Sequence, residues 1–205
     1  MRLRTKLGLG LAAIGGIGAA AFAVGFPTPP ATPPMAAAEA ARKTAWDFTL
    51  TAIDGAPMPM KAYRGKVVML VNTASFCGFK KQFAGLQGLQ DKYGKAGFTL
   101  IGVPSGSFKD QEYGSNKEIA DHCTTTGIHF PMAEKSPVVG AQALPIYKWA
   151  AAKVGADDTP RWNFHKYLIG RDGRLIRAFG TTTDPADPAL NAAIGTALKA
   201  RPART

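Results

Sequence analysis

Two cysteines, Cys77 and Cys123, are the residues of this chain best suited to nucleophilic or redox chemistry. Cys77 lies just past the apolar run that ends at Val71, separated from it by Asn72 to Phe76, and Lys80 and Lys81 lie within one helical turn of it. A thiol at the amino end of a helix faces unpaired N–H groups; with ammonium groups nearby, these favour the thiolate, the form that attacks electrophilic oxygen or sulfur. A C-x-x-C dithiol exchanger is excluded, because its second cysteine would stand where Lys80 stands. Two cysteines also rule out a four-cysteine zinc site and a dense disulfide scaffold. Residue types leave two uses open for Cys123: a static disulfide with Cys77, or a second thiol that resolves what Cys77 has formed. For Cys77 the bland alternative is a buried small hydrophobe. The three histidines, His122, His129 and His165, lack tight metal-ligand spacing and are read as surface residues or residues behind the site.

Placing these thiols requires a sheet and helices, and the punctuation from Trp46 onward supplies both. Val67 to Val71 is a continuous apolar run, the pattern of a central strand covered on both faces. Phe79, Phe83, Leu86, Leu89 and Tyr93 keep helical spacing, which predicts a helix over 78–93 with Cys77 at its start. Phe98 to Val103 forms a second buried strand, closed by Pro104. Ser115-Asn116-Lys117-Glu118 is a capping box opening a helix that carries Ile119 and Cys123 on one face, which turns Cys123 inward. Asp54-Gly55 marks an early hairpin, and Asp172-Gly173 joins strands over 166–170 and 174–179. Helices are predicted over 144–152 and from Asp187-Pro188 onward. A β-α-β start followed by a β-β-α end predicts an α/β, thioredoxin-like fold: a central mixed sheet flanked by helices, with an N-terminal β-hairpin.

The composition fits one such domain plus an appendage. The chain has 205 residues, 46% of them hydrophobic and 19% charged, which is ordinary for a protein that buries a core. Arg2, Arg4 and Lys6 precede an uncharged stretch from Leu7 to Phe26, the order of a secretory signal or of an amino-terminal membrane anchor. The division expected is therefore a signal or anchor over 1–26, a Pro/Ala-rich linker over 27–44, and the domain over 45–205. Either version of the first segment exports the domain, to the periplasm or to a membrane surface facing it. The net charge of +11 falls to +8 without residues 1–38, with 22 basic against 14 acidic residues left. That excess suits attraction to an anionic membrane surface, and no nucleic-acid-binding motif accompanies it.

From Val67 to Phe79 the sequence, containing Asn72-Thr73-Ala74-Ser75-Phe76-Cys77-Gly78, resembles the signature of the glutathione peroxidase family, an apolar strand running into N-x-A-S-x-C-G. Three further family blocks follow in order: Gly102-Val103-Pro104 with Phe108 and Gln111-Glu112; Phe130-Pro131-Met132 with Lys135; and Trp162-Asn163-Phe164-His165-Lys166-Tyr167-Leu168. The resemblance covers the chain from about Trp46 to Phe179. It implies a catalytic tetrad of Cys77, Gln111, Trp162 and Asn163, in which amide and indole N–H groups hold the thiolate and stabilise the departing oxygen. It also implies that Cys123 is the resolving cysteine of thioredoxin-dependent members. Departures lie beside the tetrad: Ser105 stands where such members often have a further cysteine, Gly106-Ser107 where the family has Asn-Gln, and Tyr113 where Pro follows Gln-Glu. Lys80 and His165 replace the more usual Thr.

The activity implied is reduction of hydrogen peroxide and organic or lipid hydroperoxides through a Cys77 sulfenic acid. Cys123 resolves it, and a thioredoxin-like protein or glutathione acts as external reductant. No metal, haem, flavin or other cofactor is implied. The short segment between Trp149 and Trp162 lacks the insertion that forms the subunit contact of tetrameric members, which implies a monomer with an open site. The alternative from another class is a non-catalytic redox sensor or relay, switched by a Cys77–Cys123 disulfide.

Overall fold

The computed structural model describes residues 28–200. The expected signal or anchor over 1–26 lies outside them. Strand β3 (Val67–Thr73) is buried along its whole length and pairs in parallel with β4 (Phe98–Pro104). On its other side β3 runs antiparallel to β5 (Lys166–Ile169), which pairs antiparallel with β6 (Leu175–Phe179). The resulting mixed sheet has the order β4-β3-β5-β6. A strand with neighbours on both edges and helices on both faces has no solvent side, and this is why β3 carries no alternation. The expected hairpin is also present: β1 (Thr49–Thr51) pairs with β2 (Pro57–Pro59) across Gly55. The Phe130-Pro131-Met132 segment links the two sheets, because Met132 bridges to Gly102 and Ala133 to Ala52.

Alternation along β5 assigns the helices to faces. Lys166 points toward α2 (Gln82–Tyr93), where it meets Gln82, and Tyr167 points toward α4 (Pro145–Val154), where its ring lies 5.8 Å from that of Tyr147. Helix α5 (Pro188–Lys199) starts on an Asp187 cap and joins α2 on its face: Tyr93 and Lys92 both donate to Asn191 Oδ1. Gly85 permits this approach, since a Cβ there would stand 2.9 Å from Pro185. The glycine that the helix propensity scale penalises is thus a packing requirement. The capping box of α3 (Asn116–Thr125) forms as expected, with Ser115 and Glu118 exchanging hydrogen bonds and Ile119 and Cys123 facing inward.

Two segments differ from the sequence reading. Where a helix was expected from residue 78, α2 begins only at Gln82, and residues 77–83 are joined by i to i+3 bonds: Lys80 N to Cys77 O, Gln82 N to Phe79 O, and Phe83 N to Lys80 O. The turn is pinned to a distant segment, with Phe76 N donating to the Gln111 carbonyl, and no side chain caps it at Lys81, so tight 3-10-type turns precede the α-helix. Of the expected linker, residues 28–44 lie against the domain. They include helix α1 (Ala37–Arg42), which buries Ala40; Trp149 Nε1 donates to the Lys43 carbonyl, Met35 N to Lys148 O, and Gly140 N to Thr32 Oγ1. Alanine-rich sequence beside the apolar surface of α4 can bury one face, which a proline count alone does not reveal. No helix among the described residues is long and apolar enough to cross a membrane.

Candidate active site

The topology brings the sequence-expected residues to one end of the sheet. Cys77 follows the carboxyl end of β3, and Gln111 follows the carboxyl end of the parallel neighbour β4. Strand β5 is antiparallel to β3 with Val71 opposite Lys166, so the residues just before β5, Trp162 and Asn163, lie at that same end. Ligand sites in open α/β sheets are found at this edge because the strands there release their chains into loops.

Hydrogen bonds tie the three segments together. Phe76 N donates to the Gln111 carbonyl at 3.0 Å, which holds the Cys77 turn against the 105–115 loop. Asn163 Nδ2 donates to Gln111 Oε1 at 3.2 Å, joining that loop to the segment before β5. Asn163 is fully buried, and its Oδ1 has no hydrogen-bond partner among the described residues. Trp162 packs its ring 5.7 Å from Phe108, with Lys109 Nζ 5.9 Å from the indole. The loop itself is firmly held. Lys109 and Asp110 both take positive φ, a conformation that costs about 1–2 kcal/mol per residue, and Lys135 Nζ fastens the turn by donating to Asp110 Oδ1 and the Tyr113 carbonyl.

Cys77 is 1% exposed, and Phe76 beside it is 54% exposed, with its ring 4.5 Å from Tyr113. Lys80 and Lys81 are at the surface. The second thiol, Cys123, is 5% exposed on the inner face of α3, and burial, aided by the nearby Glu112 charge, pushes it up to about 11. It is therefore held as the thiol in the folded state, and both cysteines are free rather than joined in a disulfide.

Two further buried side chains, Asn72 and Lys166, join separate segments near these residues, and neither stands out in the sequence for its chemistry. The Asn72 side chain donates to the Trp162 carbonyl at 3.1 Å and accepts from His165 N at 3.1 Å, while its own carbonyl accepts from Phe164 N. One amide at the strand end thus fixes the backbone of residues 162–165. A polar residue closing the buried run from Val67 to Val71 was the available signal. Lys166 is fully buried, a rare environment for lysine, and its Nζ donates to Gln82 Oε1 and the Phe164 carbonyl, each at 2.7 Å. Burial lowers its pKa to about 7, opposed by Asp184. His165 is likewise buried and not at the surface: burial, then the Lys166 charge, lowers it to about 3 against the Asp158 carbonyl, leaving a neutral imidazole. His122 is half-buried against Tyr113, and His129 is exposed. No three His, Cys, Asp or Glu side chains among the described residues are grouped to hold a metal ion.

Comparison with known proteins places the chain that carries this site. The family model described as Glutathione peroxidase matches residues 45–151. The chain is 37% identical over 160 residues to the Hydroperoxy fatty acid reductase gpx1 of Synechocystis, covering 74% of this chain and 95% of the relative. It is 40% identical over 145 residues to a Glutathione peroxidase of Lactococcus lactis, covering 69% and 92%. Among solved structures, Trgpx in its apo form matches with a TM-score of 0.60 at 30% identity, over 78% of this chain and 98% of that one. A thiol:disulfide interchange protein of Chlorobium tepidum, 16% identical with a TM-score of 0.56 over 86% and 99% of the two chains, shares the thioredoxin-like fold. A model matched over more than half of the chain, and relatives spanned over more than nine tenths of their length, establish that this chain belongs to the glutathione peroxidase family and is a peroxidase by class.

Proposed function

We propose that this chain reduces hydroperoxides through Cys77, with Gln111, Trp162 and Asn163 as its catalytic donors and Cys123 as its resolving thiol. The observation that carries this reading is the pair of hydrogen bonds, Phe76 N to Gln111 O and Asn163 Nδ2 to Gln111 Oε1, which gathers three separate segments around the Cys77 turn. The Cys77 thiolate attacks the distal peroxide oxygen, the O–O bond breaks, and the alkoxide leaves as alcohol on taking a proton, leaving a Cys77 sulfenic acid. Neutral N–H donors stabilise the charge that develops on the departing oxygen without having to titrate. The Cys123 thiol then attacks the sulfenic sulfur; a disulfide forms and the hydroxyl leaves as water with the thiol proton. Because Cys123 faces inward and is held protonated, this step needs local unwinding of α3. A thioredoxin-like dithiol protein, or glutathione, returns both thiols by exchange.

Bulky substrates, including fatty-acid or other lipid hydroperoxides, fit the exposed Phe76 beside the buried thiol, and two relatives of this chain are named hydroperoxy fatty acid reductases. The reading includes export by residues 1–26, a monomer, a basic surface suited to anionic membranes, and no need for a bound cofactor. Peroxide consumption coupled to a thioredoxin system tests it with wild type, Cys77→Ser and Cys123→Ser. Abolished turnover in Cys77→Ser is expected, and wild-type turnover there refutes the peroxidase mechanism. Cys123→Ser should still consume about one equivalent of peroxide per chain and then stall with the thioredoxin reductant. Full coupled turnover in that variant removes the resolving role alone.

A further inference from the structure

Lys166 is the buried group that the mechanism does not use. It opens β5 with no exposed surface, and both of its hydrogen-bond partners are neutral: the Gln82 side chain and the Phe164 carbonyl. A cation buried without a carboxylate in hydrogen-bond reach opposes folding, so core packing gives no reason for a lysine here. Its partners supply one. Gln82 is the first residue of α2, and Lys80 in the turn that leads into it donates to the Cys77 carbonyl. The Gln82 amide is itself oriented, because Nε2 donates to the Thr181 carbonyl at 2.7 Å and leaves Oε1 toward Lys166. Phe164 adjoins Asn163, takes a left-handed φ of 65°, and packs its ring edge-on to Phe83 at 5.2 Å. A single side chain therefore spans the segment that presents Cys77 and the segment that presents Trp162 and Asn163.

We propose that Lys166 is a positioning residue for the peroxide reaction: its buried Nζ bridges Gln82 and the Phe164 carbonyl, and so sets the spacing between the Cys77 turn and the Asn163 donor. This inference rests on the reading of Cys77 as the peroxide-reactive thiol. Reaction geometry tolerates little displacement, and the bridge acts on both halves of the site at once.

The test uses the full reduced chain as wild type, Cys77→Ser, Lys166→Met, Lys166→Arg, Gln82→Met and the Lys166→Met/Gln82→Met double variant. Stopped flow measures the second-order rate with hydrogen peroxide. Iodoacetamide alkylation of Cys77, followed in parallel, needs the thiolate but no donor placed on a departing oxygen. Lys166→Met should lose about 10- to 100-fold in the peroxide rate while alkylation stays close to wild type. Lys166→Arg, which keeps the donors, should recover most of the loss. Gln82→Met should slow the reaction in the same direction, and the double variant should be no slower than Lys166→Met, as expected for two ends of one bridge. A folded Lys166→Met with the wild-type peroxide rate overturns the proposal, as do losses that multiply in the double variant. If Lys166→Met does not fold, Gln82→Met decides alone, and a wild-type rate there is equally fatal. A wild type no faster than Cys77→Ser would instead refute the peroxidase mechanism itself.

Discussion

Acidification offers a quantitative test of how the segment before β5 is held. The His165 imidazole is buried against Tyr167, 4.7 Å between rings, and its pKa is lowered from 6.5 to about 3. Between those values the unfolded chain binds a proton that the folded chain refuses. Stability from this residue is complete above about pH 6.5, declines as the pH falls below it, and is exhausted near the folded value of about 3. The slope is about 1.4 kcal/mol per pH unit, so moving from about pH 7.5 to about pH 4.5 removes about 3 kcal/mol, a large share of a typical domain's stability. Urea unfolding at a series of pH values, followed by tryptophan fluorescence, measures it. His165→Phe retains a ring in the slot and removes the titration. Its stability at neutral pH is not the readout; its pH dependence should be flatter than wild type by about one proton over this range. Equal slopes in the two proteins would refute the assignment of a neutral, desolvated imidazole.

Lys166 acts at higher pH with the same sign: its folded pKa of about 7 lies below the 10.5 of the exposed group, so stability should rise as pH climbs from about 7 toward 9, and Lys166→Met should lack that rise in urea melts. Asn72→Ala leaves the Trp162 carbonyl and His165 N–H without their side-chain partners, which should cost about 2–4 kcal/mol in denaturant melts and slow the peroxide reaction. Gly173→Ala adds a Cβ 2.6 Å from Trp46 Nε1 at a φ of 80°, and should destabilise by about 2–4 kcal/mol without changing the peroxide rate per folded molecule. With Cys123 pushed up to about 11, its iodoacetamide labelling in the native protein at about pH 8 should be far slower than in urea, and equal rates would show that the thiol is not buried.

Local signals read the elements well wherever one face or one cap decides the conformation. The apolar run at Val67 to Val71, the Ser115–Glu118 box and the Asp172-Gly173 turn each specify structure through near neighbours, and each appears as expected. The start of α2 was not legible, because the turn carrying Cys77 is shaped by the Gln111 carbonyl, more than thirty residues away in sequence. Residues 28–44 depend on distant partners for their contacts in the same way. Their proline content describes an unattached chain, whereas α4 supplies a surface on which α1 can lie.

The sequence alone carries the resemblance that points to Cys77, Gln111, Trp162 and Asn163, because a motif keeps its spacing along the chain whatever its partners do. Two thiols were also recognisable as the number that a reacting and a resolving pair needs. The helical spacing of Ile119 and Cys123 also pointed Cys123 inward, but only the folded structure decided that both thiols are free and that burial, aided by Glu112, holds Cys123 as a thiol. It also decided that His165 is a buried neutral imidazole and that Asn72 and Lys166 hydrogen-bond segments far apart in sequence. Burial and hydrogen-bond partnership depend on chain segments far apart in sequence, and the antiparallel return of β5 beside β3 is what sets these residues together.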